Sequence, residues 1–92
     1  MSRLARIREA LQAAFEPTHL VVNDDSHLHA GHEGARDGRG HFSVELVSVE
    51  FAGKSSLARH RAIYAALGEM MTTDIHALSI QARAPDESIR DS

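Results

Sequence analysis

Leu4, Ile7, Leu11 and Phe15 recur at steps of three and four, and Ala10 and Ala14 widen the stripe. This pattern predicts an amphipathic helix over Ser2 to Phe15. Ser2 is placed to cap its start, and Pro17 ends it, because the residue before a proline is pushed out of the right-handed helical region. Arg3, Arg6 and Arg8 lie off the apolar stripe and are expected in solvent. The period then changes to two. His19 to Asp24 is a short strand with Leu20 and Val22 on one side and Val21 on the other. His41 to Phe51 is a second, stronger one, in which Phe42, Val44 and Leu46 alternate with Ser43 and Glu45. The apolar positions change parity at Val47, which predicts a bulge or a strand end there.

Gly53 breaks the chain, and Ser55 or Ser56 can cap a helix running to about Thr72. Leu57, Tyr64, Leu67 and Met71 form its stripe, Ile63 and Met70 broaden it, and His60 falls within it as a core histidine. Ile75 to Ala84 is the third strand, with His76, Leu78, Ile80 and Ala82 on one face and Pro85 at its end. The order is α-β-β-α-β. A helical crossover between the second and third strands makes them parallel neighbours. Both helices must cover the same sheet face, because the chain offers no second layer. The expectation is an α+β two-layer domain over residues 1–87, a three-stranded mixed sheet with helices on one face, followed by a disordered polar tail over 88–92.

Composition narrows the function classes. With 92 residues there is room for one domain, and 42% hydrophobic with 25% charged residues is a globular rather than a disordered balance. There is no cysteine, so this chain alone supplies neither disulfide, thiol nucleophile nor thiolate ligand. No apolar run approaches a membrane span, and the first fifteen residues lack a signal-peptide core, so a soluble cytoplasmic protein without membrane association is expected. The net charge of −3 has the wrong sign for a dedicated nucleic-acid binder.

The unusual number is seven histidines, four of them between His27 and His41. Between the first two strands, Asp25 to Gly40 holds four glycines and no apolar period, a long segment for so small a domain. His27, His29 and His32 within it are candidate metal ligands, although their spacing on a loop equally suits solvated side chains. His76, at the start of the third strand on the Leu78 face, is expected half-buried, which favours the neutral ring that binds metal. Gly53-Lys54-Ser55 is not a phosphate loop, since Ser48 stands where its first glycine is needed. Lys54, Arg59, His60 and Arg61 form a small basic cluster suited to phosphate or an acidic partner, although a solvated helix face with His60 in the core suits the pattern at least as well. Asp24 and Asp25 point to opposite faces, and no nucleophile elbow exists, so the chain is not expected to be an enzyme.

Several separated motifs together carry a resemblance. Asn23-Asp24-Asp25-Ser26, His29-Ala30-Gly31-His32 and His41-Phe42-Ser43-Val44 are followed by Phe51-Ala52-Gly53-Lys54-Ser55, Arg59-His60-Arg61, Ile63-Tyr64 and Ile75-His76-Ala77-Leu78. In this order, over about Leu4 to Glu87, the chain resembles BolA proteins. The resemblance implies a fold similar to the class II KH domain. It also implies a partner, a monothiol glutaredoxin with a Cys-Gly-Phe-Ser site, with which a [2Fe–2S] cluster is shared. His76 matches the family's cluster-ligating histidine, and His29 matches the second ligand, with His32 and His27 as alternatives. The glutaredoxin cysteine and glutathione would supply the thiolates, and the isolated chain would hold no cluster. Two imidazoles on one iron raise the potential above that of an all-thiolate cluster.

Two other functions are weighed against this one. The family is also linked to transcriptional regulation, for which Lys54, Arg59 and Arg61 on the helix after Gly53 would face nucleic acid. The negative charge and the lack of the Gly-x-x-Gly clamp of KH domains stand against it. The third is a self-sufficient metal site among His27, His29 and His32. A weak homodimer of the isolated chain is left open.

Overall fold

The computed structural model describes residues 2–25 and 40–89. Helix α1 spans Arg3–Phe15, strand β1 His19–Asp24, strand β2 Gly40–Val47, helix α2 Ser56–Leu67, the short helix α3 Met70–Thr73, strand β3 Ile75–Arg83 and the short helix α4 Pro85–Ile89. The expected α-β-β-α-β frame is present. The sheet order is β1-β2-β3, with β1 and β2 antiparallel and β2 and β3 parallel.

The end signals act as the sequence suggests. The Ser2 hydroxyl accepts from the Ala5 N–H at 3.1 Å, capping α1. At the other end Glu16 takes a left-handed conformation, φ +44°, and its N–H donates to the Gln12 carbonyl before Pro17 stops the helix. Ser55, rather than Ser56, caps α2.

Alternation along β2 turns Phe42, Val44 and Leu46 inward, where they meet Ile7, Leu11 and Phe15 of α1 and Ile63 and Leu67 of α2. Helix α1 packs on β1 and α2, and α2 packs on β3, so the helices share one face of the sheet. Phe51 is fully buried, its ring 5.0 Å from that of Phe15.

Several elements differ from the expectation. Of the two outcomes that the parity change at Val47 allows, the strand end is the one present: β2 ends at Val47, short of Phe51, and a 3-10 turn covers Val49–Phe51. The cause is Ser48: its buried hydroxyl donates to the Phe15 carbonyl at 2.7 Å and accepts the Glu50 N–H at 3.1 Å. These bonds turn the chain out of the sheet and seal the end of α1. Helix α2 stops at Leu67 because Gly68 adopts φ +58°, and α3 follows as a separate turn.

The buried face of α2 is rotated from the expected stripe. Ile63 and Leu67 are buried with Ala62 and Ala66 beside them, whereas Leu57 is 59% and Tyr64 40% exposed. Small alanines let the helix sit close to the sheet on that side, a contribution that a count of large side chains overlooks. His60 is half-buried rather than a core residue, and its ring stands edge-on to Tyr64 at 6.4 Å. Residues 88 and 89 extend α4, within the span expected as tail.

Candidate functional site

The start of β3 is held by two elements, β2 and α1. Gly40 donates its N–H to the Asp74 carbonyl at 2.9 Å, which joins the starts of β2 and β3. The Asp74 carboxylate meets Arg3 Nε at 3.3 Å and Arg6 Nη2 at 3.1 Å, which fastens the same point to α1. These two arginines, expected in solvent, are therefore clamps, though each keeps part of its side chain in water. Burial alone would raise the pKa of Asp74. The Thr73 hydroxyl and the two arginines outweigh that and hold the carboxyl below its ordinary value.

The register then slips. Gly40 pairs with Ile75, yet His41 pairs with Ala77, so His76 is an extra residue in β3. A bulge of this kind re-aims a side chain. Its effect corrects the expected position of His76. Ile75 is turned into the core, 1% exposed, and His76 is exposed rather than half-buried on the Leu78 face. Strict alternation from Leu78 back to His76 fails because His76 is itself the extra residue of the bulge.

The ring of His76 stands beside that of His41, centroids 5.1 Å apart and planes inclined by 51°. His41 is half-buried at the start of β2, its Nε2 shielded from solvent, and its carbonyl accepts the Asp25 N–H at 2.7 Å. Sequence reasoning passed over His41 as a site residue. The signal existed: parallel neighbours that begin together place His41 opposite the residues around His76. Among the described residues no group of three or more His, Cys, Asp or Glu gathers to hold a metal ion, so the two imidazoles form an incomplete set. His27, His29 and His32 lie outside the described residues.

The basic cluster separates. Lys54 and Arg61 are exposed, but Arg59 is only 12% exposed. Its guanidinium pairs bidentately with Glu87 at 2.6 and 2.7 Å and donates to the Ala82 carbonyl at 3.0 Å. The hydrogen bonds it donates to Glu87 raise its pKa further above the ordinary arginine value, against the opposing effect of burial. Arg59 thus fastens α2 to the end of β3 and to α4, and does not stand on an outer surface with Arg61 as expected.

A family model described as BolA-like protein matches residues 11–87. The chain belongs to the BolA-like family. It is 44% identical over 90 residues to Protein BOLA1, chloroplastic, of Arabidopsis thaliana, covering 95% of this chain and 56% of the plant protein, so it spans about half the length of that relative. It is 45% identical over 75 residues to the DNA-binding transcriptional regulator BolA of Escherichia coli K12, covering 82% of this chain and 69% of that protein. The solved BolA domain of SufE1 from Arabidopsis thaliana superposes with a TM-score of 0.82 at 43% identity, over 95% of this chain and 96% of that one. The BolA-like chain has no helix among its described residues long and apolar enough to cross a membrane.

Proposed function

We propose that this BolA-like chain is a cytoplasmic, non-enzymatic adaptor that pairs with a monothiol glutaredoxin and co-ligates a [2Fe–2S] cluster, in cluster trafficking or in iron and redox sensing. The observation that carries this reading is the exposed imidazole of His76, lifted out of the strand by a bulge and placed at the sheet end where a second protein can reach it. The chain has no cysteine, so thiolates must come from outside it. Two imidazoles are the set that one iron of a Rieske-type cluster takes from protein. The donor chemistry fits: His76 would hold iron, with a second imidazole beside it, and the loop residues His29, His32 and His27 are the sequence's candidates for that place. When bound, the cluster supplies one-electron redox chemistry, with the glutaredoxin cysteine and glutathione on its other iron.

Co-purification with a monothiol glutaredoxin and glutathione, followed by visible absorption and circular dichroism, tests this. A spectrum distinct from that of the glutaredoxin alone is expected, and His76→Ala is expected to abolish it. A mixture that merely reproduces the glutaredoxin spectrum sinks the reading.

A second reading, sequence-specific DNA binding, is favoured by the name of the Escherichia coli relative. It must overcome a net charge of −3 and the engagement of Arg59 with Glu87. It requires binding that survives roughly 150 mM salt and discriminates between sequences.

A further inference from the structure

We infer that the outer edge of β3 pairs with the same edge of a second copy of this chain, antiparallel about Ser79, so that two sheets join into one.

The backbone decides which groups are open. The Arg83 carbonyl accepts the Ser48 N–H at 3.0 Å, so Arg83 turns its backbone groups toward the β2 side. Successive residues of a strand direct these groups to opposite edges, so Ala82, Ile80 and Leu78 direct theirs outward. The Ala82 carbonyl agrees with this, since Arg59 reaches it from outside the ladder at 3.0 Å. Strand β3 stands at the end of the sheet order. Among the described residues, no backbone bond outside the ladders reaches Leu78 or Ile80.

The side chains do not defend this edge. Natural sheets blunt exposed edges with charge, proline or bulges. Here the bulge at His76 and the Arg59 guanidinium at Ala82 mark the two ends. Between them, Ala77 to Gln81 holds no charge, proline or glycine. Strand β1, the opposite edge, ends in Asp24 with Asp25 behind it.

The occupant follows from the near-palindrome Leu78-Ser79-Ile80. A two-fold axis at Ser79 sets Leu78 of one copy against Ile80 of the other. Both have outward backbone groups, so each such pair exchanges both hydrogen bonds of an antiparallel ladder. Their half-buried side chains are covered further, and the exposed Ser79 meets its own copy without charge. The same axis brings Arg83 of one copy opposite Ile75 of the other, beside Asp74, whereas parallel pairing sets Arg83 against Arg83. Charge therefore selects the antiparallel arrangement.

The full chain is followed by sedimentation and by amide hydrogen exchange from micromolar to millimolar concentration. A monomer–dimer equilibrium is expected. The Leu78 and Ile80 amides should exchange more slowly as concentration rises, with those of β1 unchanged. Ser79→Lys places like charges across the axis and should weaken dimerisation by roughly fivefold or more, as should Ser79→Glu. An equal mixture of the two variants should restore it, which misfolded chains cannot do. Because the chain has no cysteine, Ser79→Cys reports the register. Its non-hydrogen-bonded pair, with Cα atoms about 4.5 Å apart, suits a disulfide, so mild oxidation should cross-link it much faster than Val21→Cys on β1. A chain that stays monomeric at millimolar concentration, or a dimer that leaves Leu78 and Ile80 unprotected and ignores Ser79→Lys, overturns the inference. Protection of these amides by an unrelated extended peptide, with no self-association, overturns it as well and gives the edge to another occupant.

Discussion

Both carboxylate oxygens of Glu87 meet the guanidinium of Arg59, Oε1 on Nη1 at 2.6 Å and Oε2 on Nη2 at 2.7 Å. Glu87 Oε1 also accepts the Ala84 N–H at 3.2 Å, so one carboxylate closes the end of β3 and ties α4 back to α2. A planar fork facing a carboxylate is the geometry in which arginine cannot be replaced by lysine.

Glu87→Ala should therefore destabilise the protein, because it leaves a mostly buried guanidinium without its counter-charge. The carboxylate itself is 36% exposed, so solvent screening reduces the cost, to about 1–2 kcal/mol. At roughly 4–8 °C per kcal/mol for a domain of this size, the loss should appear as a fall in melting temperature of about 4–16 °C. Arg59→Lys should recover little of it. A melt unchanged by Glu87→Ala would show that the pair holds nothing together.

Acid should loosen the other clamp. The folded state lowers the pKa of Asp74, so its ion pairs with Arg3 and Arg6 contribute stability that is fully present above the unfolded value of about 3.9. That contribution is lost as pH falls through the lower folded pKa. Urea unfolding measured from neutral pH down to about pH 2 should show wild-type stability falling across the acid range. Asp74→Asn should be less stable at neutral pH, and its curve should be flatter in acid. Parallel curves for the two proteins would remove Asp74 from the acid response.

Ser48 is a buried hydroxyl with two partners, the Phe15 carbonyl and the Glu50 N–H. Ser48→Ala is expected to cost about 1–3 kcal/mol, because it leaves both groups to find water in an interior position. Denaturant unfolding should show a lower midpoint with an unchanged slope, since the surface exposed on unfolding stays the same.

How much of this was legible in the sequence depends on which force decided each feature. Strand β1 has the bounds that alternation gives, His19–Asp24, because period-two burial against one helix layer governs it throughout. Helix α1 starts and stops at its cap and its proline for equally local reasons. The end of β2 at Val47 was legible as a change of parity, but its cause, a serine side chain bonded to a carbonyl of another element, is not something periodicity records. The rotated face of α2 was missed because it depends on how closely alanines allow the sheet to approach. Arg3, Arg6 and Arg59 look solvated or functional by helical position alone, and only their distant partners Asp74 and Glu87 give them roles in the fold. The exposure of the candidate His76 was not legible, since a one-residue register shift reverses the alternation. His41 needed the parallel pairing before its proximity to His76 could be seen.

The bulge places a core residue and a surface residue side by side, and the two should behave oppositely on mutation. Ile75 is 1% exposed within the main hydrophobic cluster, so Ile75→Ala removes buried methyl groups and leaves a cavity. The expected cost is about 2–5 kcal/mol, with the mixed species impaired only to the extent that the strand start is lost. His76 is exposed, with its ring beside that of His41, so His76→Ala should cost no more than about 1 kcal/mol. The same change should abolish the mixed species with glutaredoxin. Thermal melts and spectra of the glutaredoxin mixture for the two variants thus separate the structural half of the Ile75–His76 dipeptide from its chemical half. If His76→Ala instead unfolds the chain while Ile75→Ala is silent, the register shift at Gly40 and His41 does not present His76 outward, and the imidazole belongs to the fold.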